Sequence, residues 1–440
     1  MNSSEYKKYH ESFMQNNHGS TAFHTFLCIF FTLQCTMVCA IRQEKTNSAK
    51  YVQEYLIIIL TMIVAHTVLS DYIYGLNLAA YLLLLFEITK KYNSLDIIKA
   101  MKSKNVFENG RIHSITCLRG LTYLITALCI LAVDFVDFPR HLAKTENYGY
   151  SLMDTGVGLF ILMSGIVYKN VTKNDYKEIL RGNIKFVLIL LFLGVARYFT
   201  VKQLDYQEHV TEYGVHWNFF FTLAVCKLIS SILLMLTNNA LLLSIFVICT
   251  HEFLLYNGLQ SWVFSDQPRL TFIDANREGI SSSLGYVALY LFAVNLKQVY
   301  SNNTISRYCV LIKCFIIIVV LNMILYITKI YNPASRTLAN AGYCSFICIV
   351  LVTSASFMYL IEINFSIKKR GINFEVPLIL QAINNNGLLY FLICNLSTGI
   401  VNLSFRTLLL PSIVTFIILN AHMIITTGLI IYLNKKGIKL

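Results

Sequence analysis

Charged residues and prolines are scarce in this chain, and both shortages bear on the class of protein. Only 13% of the 440 residues are charged and five are proline, whereas 56% are hydrophobic. The mean hydropathy of +0.59 excludes an ordinary soluble domain. No linker rich in proline or glycine, repeat or low-complexity tract divides the chain. These features predict one integral membrane domain.

Common catalytic and metal-binding motifs are also missing. The sequence has no Gly-x-Ser-x-Gly elbow, Walker loop or His-Glu-x-x-His motif, and its twelve cysteines include no zinc-ribbon or redox pair. No basic stripe with interleaved aromatics lies outside the apolar runs, which argues against a nucleic-acid partner. We therefore expect neither a metal nor a cofactor.

Apolar runs of membrane-spanning length recur along the whole chain. They lie near 22–41, 55–71, 73–88, 113–133, 151–169, 184–200, 216–236, 238–257, 282–300, 308–328, 341–361, 388–405 and 411–432. They predict an all-α, polytopic membrane bundle of about thirteen transmembrane helices. We divide the chain into a polar N-terminal segment (1–21), one transmembrane domain (22–432) and a basic tail (433–440).

Lysine and arginine are concentrated in alternate loops, at 88–112 and 169–185 and in the tail. The positive-inside bias places these loops in the cytosol and the N-terminus on the lumenal side. No small-residue cleavage site follows the first apolar run, so that run is expected to remain a helix. The polar segments 134–154, 197–218 and 266–283 all fall on the side of the N-terminus. Groups capable of chemistry therefore gather opposite the positive face.

Segment 134–154 contains a carboxylate and a lysine that could act together. Asp134 stands at the end of an apolar helix, where a general base could work, and Lys144 could fold back to pair with it or stabilise developing negative charge. Alternatively, both side chains face lipid headgroups, with Lys144 snorkelling. Ser151 and Asp154 have the spacing of a helix N-cap.

A second group of ionisable residues precedes an apolar helix. It consists of Asp205, Glu208, His209, Glu212 and His216. On a helix, positions 205, 209, 212 and 216 would share one face. A metal site is conceivable, but a hydrogen-bonding surface for a polyhydroxylated headgroup is the better interpretation. Tyr213 and Trp217 are typical of an interfacial aromatic belt.

Two further polar groups have alternative interpretations. Asn276 and Arg277, just before a helix, could bind phosphate, or Arg277 could pair with Glu278. Asn395 and Asn402 are seven positions apart in one apolar run, where polar side chains either join helices or line a cavity.

Taken together, these strings resemble the inositol acyltransferases of GPI-anchor biosynthesis, the PIG-W family. The resemblance rests on 138–140, 143–146, 151–158, 276–279, 386–389 and 395–403. Above all, it rests on the block Leu-Asp-Tyr-Gln-Glu-His-Val-Thr-Glu-Tyr-Gly-Val-His-Trp-Asn-Phe-Phe-Phe-Thr at 204–222. It implies an enzyme of the endoplasmic reticulum membrane that transfers a fatty acyl group, usually palmitoyl, from acyl-CoA to the inositol 2-hydroxyl of glucosaminyl-phosphatidylinositol. The family's proposed catalytic pair corresponds to Asp134 and Lys144. His141 and Tyr148 depart from the common pattern.

The resemblance and the residues together predict direct acyl transfer, because no nucleophilic Ser or Cys site is evident. Asp134 would take the hydroxyl proton, and Lys144 would tune Asp134 or hold the oxyanion. The bilayer and the two substrates are the expected partners, with no obligate protein partner. The expected substrate-binding residues are Arg140, Glu146, Asp154, Asp205, Glu208, His209, Glu212, His216, Trp217, Asn218, Asn276, Arg277, Asn395 and Asn402. A transporter or scramblase for an anionic glycolipid is the alternative function, and a structural subunit of a membrane assembly is a third.

Overall fold

The fold is helical throughout the part of the chain that the structure describes. This computed structural model describes residues 3–42, 46–91, 98, 101–105, 112–168, 176–203, 213–365 and 375–438, and within these ranges β-structure is limited to two isolated bridges. The predicted all-α fold class is confirmed. Apolar side chains and few prolines favour this outcome, because a helix satisfies its own backbone hydrogen bonds in lipid.

The helices follow one another with short connections. They are α1 (Ser3–Met14), α2 (Ala22–Ile41), α3 (Asn47–His66), α4 (Ser70–Lys90), α5 (His113–Ala132), α6 (Leu152–Ile166), α7 (Tyr176–Gln203), α8 (Phe219–Leu236), α9 (Ala240–Val263), α10 (Arg277–Tyr300), α11 (Arg307–Tyr331), α12 (Ala341–Phe365), α13 (Leu378–Asn385), α14 (Gly387–Ser404) and α15 (Ser412–Lys435).

The number of membrane-spanning helices agrees with the sequence. Among the described residues, twelve helices are long and apolar enough to cross a bilayer, and α6 is a shorter apolar helix. Its 15 residues rise roughly 22 Å, less than the ~30 Å of a hydrocarbon core. The predicted polytopic bundle is therefore confirmed with twelve helices of spanning length, and the shorter α6 stands where the sequence predicts a thirteenth span at 151–169.

The inner and outer helices differ in their side chains. Helices α2, α5, α10 and α12 are mostly buried, whereas α11 exposes most of its aliphatic surface. Glycines allow close packing within the core: Gly165 of α6 abuts the backbone of Tyr290 in α10. Small residues are common at helix contacts in membrane proteins. Helices in lipid associate through close packing, because the hydrophobic effect contributes little between them.

The loops on the side of the N-terminus bind one another at one end of the bundle. Tyr150 O accepts from Ser20 N (2.6 Å), Ala334 O accepts from Gly149 N (2.9 Å), and Ala275 O accepts from Val215 N (2.8 Å). At the opposite end, Glu54 accepts hydrogen bonds from the first backbone N–H groups of α13. The structure thus brings together the polar segments that the sequence assigns to one side.

Candidate active site

A cavity of about 1540 Å³ lies in the bundle and reaches the end that carries the N-terminus. This volume exceeds the roughly 300–1,000 Å³ typical of pockets for drug-sized ligands. Its lining comes mainly from α1, α5, α6, α14, the loop 140–146 and residues 213–220. Its charged side chains come mostly from α1 and residues 134–146, which form the mouth, whereas α5, α6 and α14 contribute mainly aliphatic, aromatic and small side chains. The cavity therefore matches a molecule with a polar head and a long apolar chain.

The apolar part of the cavity follows α5. Leu118, Leu121, Ile125 and Ile130 all line it, and the rise from the first to the last is roughly 18 Å. One leaflet of a bilayer core, which one lipid acyl chain spans, is about 15 Å thick. The lining is thus long enough to accommodate a fatty acyl chain.

The cavity also opens sideways along α14. Leu396, Ile400 and Leu403 line it and are nevertheless 70%, 65% and 70% exposed. Because α14 is one of the helices long and apolar enough to cross a membrane, this exposed side faces lipid. A lipid could reach the cavity from the bilayer without passing through water.

Asp134 lies at the junction of the polar mouth and the apolar interior. It follows α5 in a turn closed by the hydrogen bond from Asp134 N to Leu131 O (3.2 Å), and only 3% of the residue is exposed. Asn402 Nδ2 donates to Asp134 Oδ2 at 2.7 Å, and His10 Nε2 lies 3.6 Å from Asp134 Oδ1. Asn402 therefore lines the cavity and also joins α14 to the residue that follows α5. Both interpretations of this asparagine, as a helix contact and as a cavity residue, apply.

Lys144 lines the same cavity as Asp134. The chain reaches it through a short 3₁₀ turn, Arg140–Leu142. Asn17 then fixes the loop, because its side-chain amide donates to Ala143 O (2.8 Å) and Lys144 O (2.9 Å). The Lys144 side chain is half-buried.

Arg140 supplies a further positive charge at the mouth. Its guanidinium lies 4.8 Å from the centroid of the Phe13 ring and donates to Met14 O at 3.4 Å. Burial lowers the pKa of Arg140, while the negative charge of Asp134 acts in the opposite direction. Arg140 Nη1 is buried and has no hydrogen-bond partner within the described part of the chain. It can therefore donate to an anionic ligand in the cavity.

Asp154 has a different position from that expected of a substrate-binding residue. It is 2% exposed, its Oδ2 accepts from Thr145 N, Thr145 Oγ1 and Ser151 Oγ, and its Oδ1 accepts from Arg336 Nε at 2.9 Å. Ser151 Oγ accepts from Asp154 N, which confirms the predicted N-cap of α6. Both carboxylate oxygens thus bind the protein, and Asp154 holds the loop that carries Lys144.

The segment 213–218 does not form the helical face that the spacing suggests. Gly214 has a φ of +106°, and the next backbone positions are non-helical up to α8. His216 therefore cannot share a continuous helical face with positions 205, 209 and 212, because the left-handed backbone at Gly214 interrupts it. Asp205, Glu208, His209 and Glu212 lie outside the described residues.

His216, Trp217 and Asn218 nevertheless all line the cavity. Asn276 Oδ1 accepts from His216 N (2.8 Å) and Trp217 N (2.9 Å), which sets the path of this segment. Asn218 caps α8 by accepting from Phe220 N at 3.0 Å. Asn276 therefore acts on the cavity indirectly, through the backbone of the segment it binds.

Arg277 lies apart from the cavity lining and binds neighbouring backbone. Its guanidinium donates to Ser265 and to Gln267 O. The predicted pairing with Glu278 is loose, with 3.8 Å between Arg277 Nε and Glu278 Oε1, and Glu278 instead pairs with Arg269 at 2.5 Å. Of the two interpretations, the structure thus favours binding of Arg277 within the protein over binding of phosphate. The main partner of Glu278 is Arg269.

Glu146 and Asn395, both predicted to bind substrate, line the cavity. Glu146 is exposed, and its Oε1 accepts from Asn16 N at 2.7 Å. Asn395 Nδ2 donates to Phe391 O one turn earlier in α14. Among the described residues, no group of three or more His, Cys, Asp or Glu side chains could hold a metal ion.

Comparison with known proteins decides the family. The family model described as GWT1 matches residues 6–433. The chain belongs to the GWT1 family.

Relatives of this GWT1-family protein extend over nearly its whole length. It is 32% identical to the Bos taurus protein named glucosaminyl-phosphatidylinositol-acyltransferase PIGW, with 98% of this chain and 99% of the relative covered. It is also 32% identical to GPI-anchored wall transfer protein 1 of Schizosaccharomyces pombe, with 99% of each covered. The Homo sapiens PIGW protein is 28% identical, with 98% and 99% covered. The predicted family and the predicted class of enzyme, an acyltransferase, are confirmed by these relatives.

Several residues that line the cavity of this GWT1-family protein are not among those predicted from the sequence. Lys7 and His10 come from α1, Arg197 from α7 and Arg336 from the α11–α12 loop. The 3.6-residue spacing of Tyr6, His10 and Phe13 is a signal that could have indicated an amphipathic α1. Arg336 carries no local signal, because its partner Asp154 lies 182 positions away.

Proposed function

We propose that this protein is a glucosaminyl-phosphatidylinositol inositol acyltransferase of the endoplasmic reticulum membrane. It transfers a fatty acyl group, palmitoyl above all, from acyl-CoA to the inositol 2-hydroxyl during GPI-anchor biosynthesis. The names of the relatives support the substrate class. The observation that carries the proposal is the buried Asp134 carboxylate, held where a cationic mouth meets a long apolar cavity.

The proposed chemistry is a direct transfer between the two substrates. The inositol oxygen attacks the thioester carbonyl carbon, and Asp134 accepts the hydroxyl proton. Lys144 stabilises the oxyanion of the tetrahedral intermediate. The intermediate then collapses: the carbonyl double bond re-forms, the C–S bond breaks, and the proton passes from Asp134 to the departing thiolate. Asp134 returns to its starting form without an acyl-enzyme.

The cavity suggests where each part of the substrates binds. The fatty chain of the donor lies along α5, and each buried CH₂ group contributes about 0.8 kcal/mol. Phosphate groups are placed at the mouth by Arg140, Lys7 and Arg197, since cations at a partly desolvated site bind phosphate strongly. The sugar and inositol hydroxyls contact Glu146, His216 and Asn395. The opening along α14 admits the acceptor lipid from the bilayer.

The test is an acylation assay on purified protein in lipid nanodiscs. Labelled palmitoyl-CoA and glucosaminyl-phosphatidylinositol are supplied, and acyl-inositol product is detected by mass spectrometry. We expect product with wild type and none with Asp134→Asn. Asp137→Asn is the matched control, because Asp137 lies three residues away, outside the cavity lining, and accepts from Ser412 Oγ.

Two outcomes would refute the proposal. Wild-type protein that forms no acyl-inositol excludes the enzyme, and product formation by Asp134→Asn at the wild-type rate excludes the mechanism. Movement of labelled glycolipid across the bilayer of sealed vesicles that contain the purified protein, without acylation, would instead indicate a transporter or scramblase. The two assays on one purified protein thus separate the two functions.

A further inference from the structure

Helix α1 is bound at the mouth of the cavity from both sides. Towards α14, Tyr6 OH lies 3.3 Å from Thr407 Oγ1 and accepts from Leu408 N at 3.2 Å. Towards the 140–146 loop, Asn16 N donates to Glu146, and Asn17 binds two backbone carbonyl groups of that loop. The N-terminal segment is therefore part of the folded site.

One face of α1 is directed at the cavity. Tyr6, Lys7, His10 and Met14 line the cavity, and His10 lies three or four positions from each of the others, which places them on one side of a helix. Tyr9, on another side, is 42% exposed. The helix thus presents a polar and partly basic face to the site.

His10 is the member of this face that meets the proposed base. Its Nε2 lies 3.6 Å from Asp134 Oδ1, and the two side chains are only 15% and 4% exposed. The other carboxylate oxygen, Oδ2, already accepts from Asn402. Each oxygen of Asp134 therefore has a partner from a different helix, α1 for one and α14 for the other.

A carboxylate can accept a proton only in its ionised form, and apolar surroundings disfavour that form unless a cation stands close. Asp134 lies between the apolar interior and a mouth that also carries Arg140 and Lys144. His10 Nε2 is close enough to Oδ1 that an imidazolium here would place a positive charge beside it and oppose rotation of the carboxylate away from Asn402. A lone neutral hydrogen-bond donor would provide only the second effect.

We propose that His10 is a positioning residue of the acyl-transfer site, contributed by the N-terminal helix, and that its positive charge keeps Asp134 ionised and oriented. This inference rests on the proposed function, since Asp134 must first act as the base. Helix α1 is then a component of the active site and more than a cover for the cavity.

The test compares three side chains at this position in the acylation assay. His10→Gln keeps a hydrogen-bond donor but no charge, and we expect kcat to fall about tenfold to a hundredfold, part of the 10²–10⁴ that a positioned base contributes. His10→Lys keeps the charge, and we expect kcat within about threefold of wild type. KM for both substrates stays unchanged, because His10 acts through Asp134. His18→Gln is the matched control, since His18 is exposed on the same segment.

Three outcomes would overturn the inference: wild-type kcat in His10→Gln, a His10→Lys variant as slow as His10→Gln, or a loss confined to KM. Normal activity in His10→Lys also excludes misfolding of α1 as the cause of the loss in His10→Gln. Failure of the proposed function would look different, because wild-type protein itself would then form no acyl-inositol.

Discussion

The buried pair between Asp154 and Arg336 gives the sharpest prediction for stability. Both residues are at most 4% exposed, and Asp154 accepts three further hydrogen bonds from Thr145 and Ser151. Arg336→Met would leave the carboxylate buried without its cation. Breaking a buried ion pair from one side costs about 3–5 kcal/mol, because the remaining charge is desolvated and uncompensated.

The same loss should reach the active site. Asp154 binds the loop beside Lys144, so we expect Arg336→Met to lower both the melting temperature and the rate of acylation. The double variant Asp154→Leu/Arg336→Met removes both charges and should recover part of the stability, since apolar replacement of a buried pair is often close to neutral. The hydrogen-bond donors of Thr145 and Ser151 would then limit the recovery.

Thermal unfolding can be followed with a thiol-reactive dye, because ten of the twelve cysteines are buried and only Cys249 and Cys309 are exposed. The rise in dye fluorescence then reports opening of the bundle. A destabilisation of about 3–5 kcal/mol should lower the melting temperature by several degrees. Two results would contradict this prediction. One is an Arg336→Met variant that unfolds at the wild-type temperature. The other is a double variant whose loss of unfolding free energy exceeds the summed losses of Arg336→Met and Asp154→Leu.

Three smaller predictions concern binding at the cavity. Arg140→Gln should raise KM for the anionic substrates about tenfold while leaving kcat within threefold, as expected for a lost charge-assisted hydrogen bond. Steady-state kinetics measure both constants, and a change in kcat alone would contradict a role of Arg140 in substrate binding. Leu396→Trp should narrow the opening along α14 and slow acylation of a two-chain acceptor more than that of a short-chain analogue; equal slowing of both would argue against lateral entry. Asn276→Ala should release the backbone at 216–217, raising KM for the glycolipid, with Asn257→Ala, at an exposed site on α9, as the control.

Much of the fold could be predicted from the sequence. Apolar runs of sufficient length must form helices in lipid, because no water is present to bind the backbone. The polar loops between them alternate sides, which already brings 134–154, 197–218 and 266–283 together. Helix α1 escaped this reasoning, since a short polar helix on the surface of a bundle has no long apolar run to mark it.

The individual site residues were harder to predict than the helices. Asp134 and Lys144 line one cavity. Asp154 and Arg277 instead form hydrogen bonds within the protein. Asn276 contacts the backbone of a segment that lines the cavity. A polar residue in a loop can bind substrate or satisfy a buried neighbour, and the two choices have the same local pattern. Only the position of its partners in space distinguishes them.

The class of protein, the approximate number of membrane helices and the family could all be predicted from the sequence, as could, through the family resemblance, the pair of residues proposed for catalysis. These properties depend on length, composition and strings of neighbouring residues. The tertiary structure decided which charges face the cavity, where that cavity opens to lipid, and that His10 of the N-terminal helix meets Asp134. Buried polar groups must find partners wherever the fold supplies them, and those partners are often hundreds of residues away.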